Sequence, residues 1–267
     1  MTTLHVASLN VCGLPAKLAS PKLAPLRDRA TWFCGELEAS DIDIVAFQEV
    51  WTRRALDVLT RRLPSFPYVA WRRGLRGQPA GGLVTFARRP LGAVSYTSLR
   101  AAPTQGGPVF RAMCAINSTL QGALTVGLRG LDAAVGNTHL TANHDGDWSA
   151  TNRHHGFQHA QLRRLQAAVG RSRASVTILG GDFNIASDSP LYRHIVSGGR
   201  WHDPFASDDP ATHHAAFLPD GATQHRIDYL LTDGEVLGSG LLFVEPVGDA
   251  ASYASDHIGL SLRVRVS

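Results

Sequence analysis

Ser175-Val176-Thr177-Ile178-Leu179-Gly180-Gly181-Asp182-Phe183-Asn184 is the stretch around which the chain is organised. Its β-branched and apolar first half reads as a buried strand, and the glycine pair ends that strand. Without a Cβ, the backbone there can come close to a ligand or to a neighbouring strand. Asp182 and Asn184 stand at i and i+2, so in an extended chain both side chains point the same way while Phe183 turns into the core. A carboxylate can ligate a hard cation or hold a water, and a carboxamide can donate to a phosphate oxygen. A Gly-Asp turn after a strand is also common without any function. The functional reading therefore depends on what the other strand ends carry.

Those ends are read in the same way. Leu4–Leu9 alternates as a first strand and delivers Asn10 at its exit, and Leu26, Ala30, Phe33 and Leu37 follow at helical spacing over about Pro25–Ala39. Ile42–Phe47 is a second buried strand that leads to Gln48 and Glu49. Ala55, Leu56, Leu59 and Leu63 mark the next helix. Trp71-Arg72-Arg73-Gly74-Leu75-Arg76-Gly77 is a basic, glycine-rich loop, which suits either phosphate binding by guanidinium and backbone N–H or plain solvation. A meander of four strands is expected at Ala93–Leu99, Arg111–Leu120, Ala123–Leu128 and Ala133–Leu140, with His139 near its end. A helix is expected over Thr151–Val169, whose histidines at 154, 155 and 159 read as surface or packing residues. A short helix starts at Pro190. Residues 198–225 form an irregular rim segment with His202, His213 and His214. Asp228 lies inside an apolar strand, where it must pair with Arg226 or a neighbour or orient a histidine. Leu241–Val247 and Ile258–Val266 close the pattern as strands, with Ser255-Asp256-His257 between them.

Composition sets outer bounds. With 267 residues and 44% hydrophobic content the chain can bury a large core, and with no linker or repeat visible it reads as one domain over 1–267. No apolar run is long enough for a transmembrane helix. The start, Met1-Thr2-Thr3-Leu4-His5-Val6, lacks a basic region, so a cytoplasmic location is expected, or a secreted one if a signal has been removed. Cys12, Cys34 and Cys114 are odd in number and share no metal spacing, which favours buried thiols. Residues 1–100 hold 14 Lys+Arg against 7 Asp+Glu, while the remainder hold 12 against 15. Codon bias would explain the abundance of arginine, and so would a phosphate-facing surface.

Strand-terminal polar residues thus accumulate: Asn10, Glu49, His139, Asp182, Asn184, Asp228, Asp256 and His257. Carboxylates and amides without a cysteine describe an oxygen site for Mg²⁺, with Mn²⁺ or Ca²⁺ as alternatives. The motifs Leu9-Asn10-Val11-Cys12-Gly13, Gln48-Glu49, Asn137-Thr138-His139-Leu140, Gly181-Asp182-Phe183-Asn184, Arg226-Ile227-Asp228-Tyr229 and Ser255-Asp256-His257 span almost the whole chain. In identity and order they resemble those of the endonuclease/exonuclease/phosphatase superfamily, which includes deoxyribonucleases, abasic-site endonucleases and neutral sphingomyelinases. The resemblance implies a four-layer α/β/β/α sandwich of two packed mixed sheets flanked by helices. It implies Glu49 as principal Mg²⁺ ligand, with Asn10 beside it and Asp256 near the metal, and Asp182 as the group that positions or deprotonates water. Asn184 and His139 would hold the scissile phosphate, His257 would act on the phosphate or acid/base side, and Asp228 would orient it. Arg72, Arg73 and Arg76 are candidate substrate contacts.

The expected activity is metal-dependent phosphodiester hydrolysis by a monomer. The spellings Asn-Val-x-Gly-Leu-Pro, Gln-Glu-Val-Trp and Asn-Thr-His-Leu are most similar to neutral sphingomyelinase-like enzymes, which favours a phospholipid or small phosphodiester and allows peripheral membrane contact. The Pro-x-Trp-Cys-Asp-Arg signature of inositol polyphosphate phosphatases is missing. A nuclease acting on DNA or RNA is the alternative. A phosphate-binding protein without turnover would be favoured by loss of Glu49, Asp182 or His257, and all three are present.

Overall fold

The computed structural model describes residues 2–13, 22–101, 103, 105–247 and 252–266. Leu14 and Pro15, which end the first motif, lie outside them. Eleven strands and five α-helices follow one another in these residues. The first half runs β1 (Thr2–Asn10), α1 (Leu26–Ala39), β2 (Ile44–Gln48), α2 (Arg53–Arg62), β3 (Tyr68–Ala70), β4 (Val84–Ala87) and β5 (Leu91–Ser98). The second runs α3 (Pro108–Asn117), β6 (Gly122–Leu128), β7 (Ala133–His139), α4 (His155–Val169), β8 (Val176–Asp182), α5 (Pro190–Val196), β9 (Asp228–Thr232), β10 (Val236–Leu242) and β11 (Gly259–Val266).

The strands form two mixed sheets, ordered β10-β11-β1-β2-β4-β3 and β5-β6-β7-β8-β9. Each is antiparallel apart from one parallel pair, β1 with β2 and β7 with β8. A crossover helix spans each parallel pair, α1 in the first sheet and α4 in the second, as parallel pairing demands. Phe33, Leu37, Leu56 and Leu59 of α1 and α2 pack on Val45, Phe47 and Phe86 of the first sheet. Leu162, Leu165, Leu191 and Ile195 of α4 and α5 pack on Leu179 and Leu231 of the second. Between the sheets Val6, Ile44, Leu260 and Leu262 meet Val135, Ile178 and Leu230. The architecture is therefore the four-layer α/β/β/α sandwich.

A buried amide pair also joins the sheets. Gln48 Nε2 donates to Asn137 Oδ1 at 2.8 Å, and Asn137 Nδ2 donates to the carbonyls of Phe47 at 3.0 Å and Val84 at 3.1 Å. Helix starts follow local chemistry. Thr52 Oγ1 caps α2 by accepting from Ala55 N at 3.0 Å, and Ser189 Oγ caps α5, with Pro190 at its first position.

Two expectations are corrected. Residues 111–120 are not a strand. Pro108 opens α3 there, and Phe110 and Cys114, one helical turn apart, pack towards Phe157. The alternation of Ala112, Cys114 and Ile116 imitates a strand, but the buried face follows the helical period. The strand expected at Leu241–Val247 ends at Leu242 instead. Phe243 takes a φ of 61° and turns its ring against Phe33 at 6.1 Å, which draws the chain off the sheet edge.

Candidate active site

Strand register gathers the polar residues. Asn10 lies opposite Gln48 in β1/β2, His139 opposite Asp182 in β7/β8, and Asp182 opposite Asp228 in β8/β9. His257 lies two residues before the start of β11. Gly181 makes this register possible, since its φ is 137° and a Cβ built there would lie 1.9 Å from the Thr138 carbonyl oxygen.

Asp182 is the hub. Its Oδ1 accepts from the Asn184 N–H at 2.8 Å and its Oδ2 from Asn10 Nδ2 at 3.0 Å. His139 Nε2 stands 3.5 Å and His257 Nε2 3.9 Å from that same Oδ2. Asn10 also donates to Glu49 Oε1 at 3.1 Å, so one carboxamide ties two carboxylates together. The Asn184 side chain donates to the Leu140 carbonyl at 3.0 Å, which leaves its second amide hydrogen for a ligand. On the far side, His257 Nδ1 meets Asp228 Oδ2 at 2.9 Å, so Asp228 orients a histidine. Arg226 is not its partner; it is buried against Asp203 and Asp209.

Charge balance follows from this packing. Burial alone would lower the His257 pKa, but the carboxylates of Asp228, Asp182 and Asp256 outweigh it and hold the imidazole well above its ordinary value. Burial raises the Asp228 carboxyl, and His257 pulls it partly back. Asp256 is held low in spite of burial by His257, His213 and the Ser255 hydroxyl.

Three non-glycine residues of these loops, Cys12, Glu49 and Asn184, have φ of 43°, 62° and 52°. Backbone strain of this kind persists where the surroundings over-determine it. Gly13 accommodates one of them closely, since a Cβ there would lie 2.2 Å from the Glu49 carbonyl oxygen.

The residues fit a hard divalent cation. Glu49 Oε2 is buried with no hydrogen-bond partner while Oε1 is held by Asn10, so one carboxylate oxygen is oriented and unspent. Two groups of carboxylate and imidazole atoms among the described residues are close enough to hold an ion, and both include His257, with Asp182 and Asp228 or with His213 and Asp256. In the first of these groups His257 Nδ1 is already engaged by Asp228.

A cavity of about 650 Å³ opens over the cluster, lined by Glu49, His139, Asp182, Asn184, His213 and His257 and, further out, by Trp148, His225 and Leu218. Arg72, Arg73 and Arg76 are exposed on the loop between β3 and β4 and are not among the residues that line this cavity. Sequence reasoning missed the individual roles of His213, whose ring stands 5.1 Å from that of His257, and of Trp148, whose Nε1 donates to the Asn184 carbonyl at 3.0 Å. Both lie on irregular loops, where no periodicity betrays which side chain faces inward.

Comparison with solved structures finds this fold repeatedly. A humanized TDP2 of D. rerio matches with a TM-score of 0.73 at 17% identity, over 98% of this chain and 99% of that one. Beta toxin from Staphylococcus aureus matches at 0.70 and 16%, over 98% and 100%. Sphingomyelinase C from Streptomyces griseocarneus matches at 0.70 and 18%, over 99% and 100%. A search of curated proteins finds no match to the sequence. The model of the endonuclease/exonuclease/phosphatase family matches residues 7–257, almost the whole chain and every residue of the cluster just described, and the protein belongs to that family.

Proposed function

We propose that the protein is a divalent-metal-dependent phosphodiesterase that cleaves its substrate by attack of a water held on Asp182. The observation that carries this is the convergence on one Asp182 oxygen of Asn10, His139 and His257 from three separate segments, beside an oriented Glu49 carboxylate. A cation held by Glu49, with Asn10 and Asp256 nearby, supplies Lewis-acid stabilisation of phosphoryl charge when bound.

The chain's own residues account for the rest. Asp182 accepts the proton of the attacking water as the oxygen–phosphorus bond forms. His139 and the free amide hydrogen of Asn184 donate to the phosphoryl oxygens, whose charge grows in the transition state. His257, fixed by Asp228, presents Nε2 to the same space. The ester P–O bond breaks, the leaving alkoxide takes up a proton from solvent and Asp182 releases the one it accepted, giving an alcohol and a phosphomonoester. The substrate favoured by the motif spellings around Asn10, Glu49 and His139 is a phospholipid or a small phosphodiester. The mixed polar and apolar lining of the cavity, with Trp148 and Leu218 at its outer wall, suits such a group.

The test is a side-by-side assay with Mg²⁺ of bis-p-nitrophenyl phosphate, sphingomyelin micelles and plasmid DNA. Hydrolysis of the first two with shallow salt dependence is expected. A nuclease that neutralises several phosphates would instead nick plasmid and lose affinity steeply as salt rises.

A further inference from the structure

Residues 58–131 contain ten arginines and no lysine, aspartate or glutamate. Arg72, Arg73, Arg76, Arg100 and Arg111 in this stretch are exposed, and among the described residues their guanidinium groups make no ion pair. The same stretch bears the most exposed large apolar side chains among the described residues. Leu75, at the tip of the arginine loop, is fully exposed, and Val109, Met113 and Ile116 on α3 are 72%, 59% and 67% exposed. Val109, Met113 and Ile116 on α3, and Leu120 in the short 3-10 turn that follows it, are spaced by four, three and four residues and leave an exposed apolar stripe. The inner side, Phe110 and Cys114, is already packed against Phe157 and Ala160.

Both features border the catalytic cluster. Met113 and Leu120 line a cavity of about 370 Å³ together with Glu49, Trp51 and His139. The arginine loop is tied to the same rim: Arg53, two residues after Trp51, lies over the Trp71 ring at 5.2 Å. Gly82, just beyond the loop, accepts from Val50 N at 2.9 Å. Uncovered apolar side chains of the α3 segment therefore border a cavity that Glu49 and His139 share, and the arginine loop joins the Glu49 segment through Trp71 and Gly82.

We propose that this rim is a docking surface for an anionic lipid bilayer. Leu75, Val109 and Ile116 would enter the boundary between head groups and acyl chains, while the arginines meet lipid phosphates, the division of labour seen in interfacial amphipathic segments. A nucleic acid would satisfy the arginines but would gain nothing from a fully exposed leucine and an apolar helix stripe. The charge complementarity selects an anionic leaflet, where each arginine near the surface adds about fivefold to affinity. The surface gains its meaning from the phosphodiesterase reading of the adjoining cluster, yet binding is measured without turnover.

The experiment is vesicle cosedimentation in EDTA, with phosphatidylcholine alone and with roughly one third phosphatidylglycerol. The native protein should bind the anionic vesicles at least about tenfold more tightly, and less so as salt rises. The double variant Leu75→Glu, Ile116→Glu should lose about tenfold or more of that affinity while keeping its melting temperature and its rate on bis-p-nitrophenyl phosphate. Failure to bind anionic vesicles, or equal binding by the double variant, overturns the proposal. Tight, salt-sensitive binding of a DNA oligonucleotide without vesicle binding also overturns it, in favour of a nucleic-acid surface. Vesicle binding that depends on Leu75 and Ile116, with no hydrolysis of any phosphodiester by the native protein, upholds the surface and strikes the catalytic reading alone.

Discussion

Asp182 carries more of the site than any other residue, because one of its oxygens is shared by an amide and faced by two imidazoles. Asp182→Asn keeps the shape and removes the proton acceptor. We expect kcat on a soluble phosphodiester to fall by about 10²-fold or more, with a melting temperature close to that of the native protein. His257→Ala should cost as much in rate and lower stability as well, because it strips the partner from an Asp228 that is only 4% exposed. Steady-state kinetics and thermal melts of the two variants check both halves. Near-native rates for either would remove that residue from the chemistry.

At the scale of elements, the β7/β8 register places His139 across from Asp182, and Gly181 is the position that permits it. Gly181→Ala introduces a Cβ into the Thr138 carbonyl and forces the two strands apart. The expected outcome is a lowered melting temperature together with loss of hydrolysis, and an active, native-like Gly181→Ala protein would contradict the register argument. The two sheets are joined by Gln48 and Asn137. Asn137→Ala removes the bond from Gln48, whose Nε2 keeps Ser8 Oγ and the Ala46 carbonyl, and the bonds to two strand carbonyls in a buried interface, which should destabilise the fold by about 1–3 kcal/mol. Urea unfolding measures that loss directly, and a change within a few tenths of a kcal/mol would mean that water replaces the amide.

For the whole molecule, the sandwich and the polar residues that gather at its edge were legible in the sequence because both depend on strand ends. A buried strand announces itself by its apolar run, and a polar residue at its exit is conspicuous there. Asn10, Glu49, His139, Asp182 and His257 all meet at one edge for that reason. What was not legible depends on tertiary context. Residues 111–120 alternate like a strand until Phe110 and Cys114 find Phe157 one helical turn at a time. His213 and Trp148 are invisible because irregular loops have no period. Arg72, Arg73 and Arg76 stand exposed on the β3–β4 loop and do not line the cavity. No helix among the described residues is long and apolar enough to cross a membrane.

The central claim is that a cation anchored by Glu49 and a water held by Asp182 act together on a phosphodiester. It is tested most directly by the rate of bis-p-nitrophenyl phosphate hydrolysis as Mg²⁺ is titrated into metal-stripped native protein and Glu49→Gln. The native rate should rise from near zero to saturation and return to near zero with EDTA. The Glu49→Gln curve should require at least about tenfold more Mg²⁺ or never rise, the size of effect expected when a first ligand loses its charge. Full activity in EDTA, or superimposable Mg²⁺ curves for the two proteins, would contradict the account.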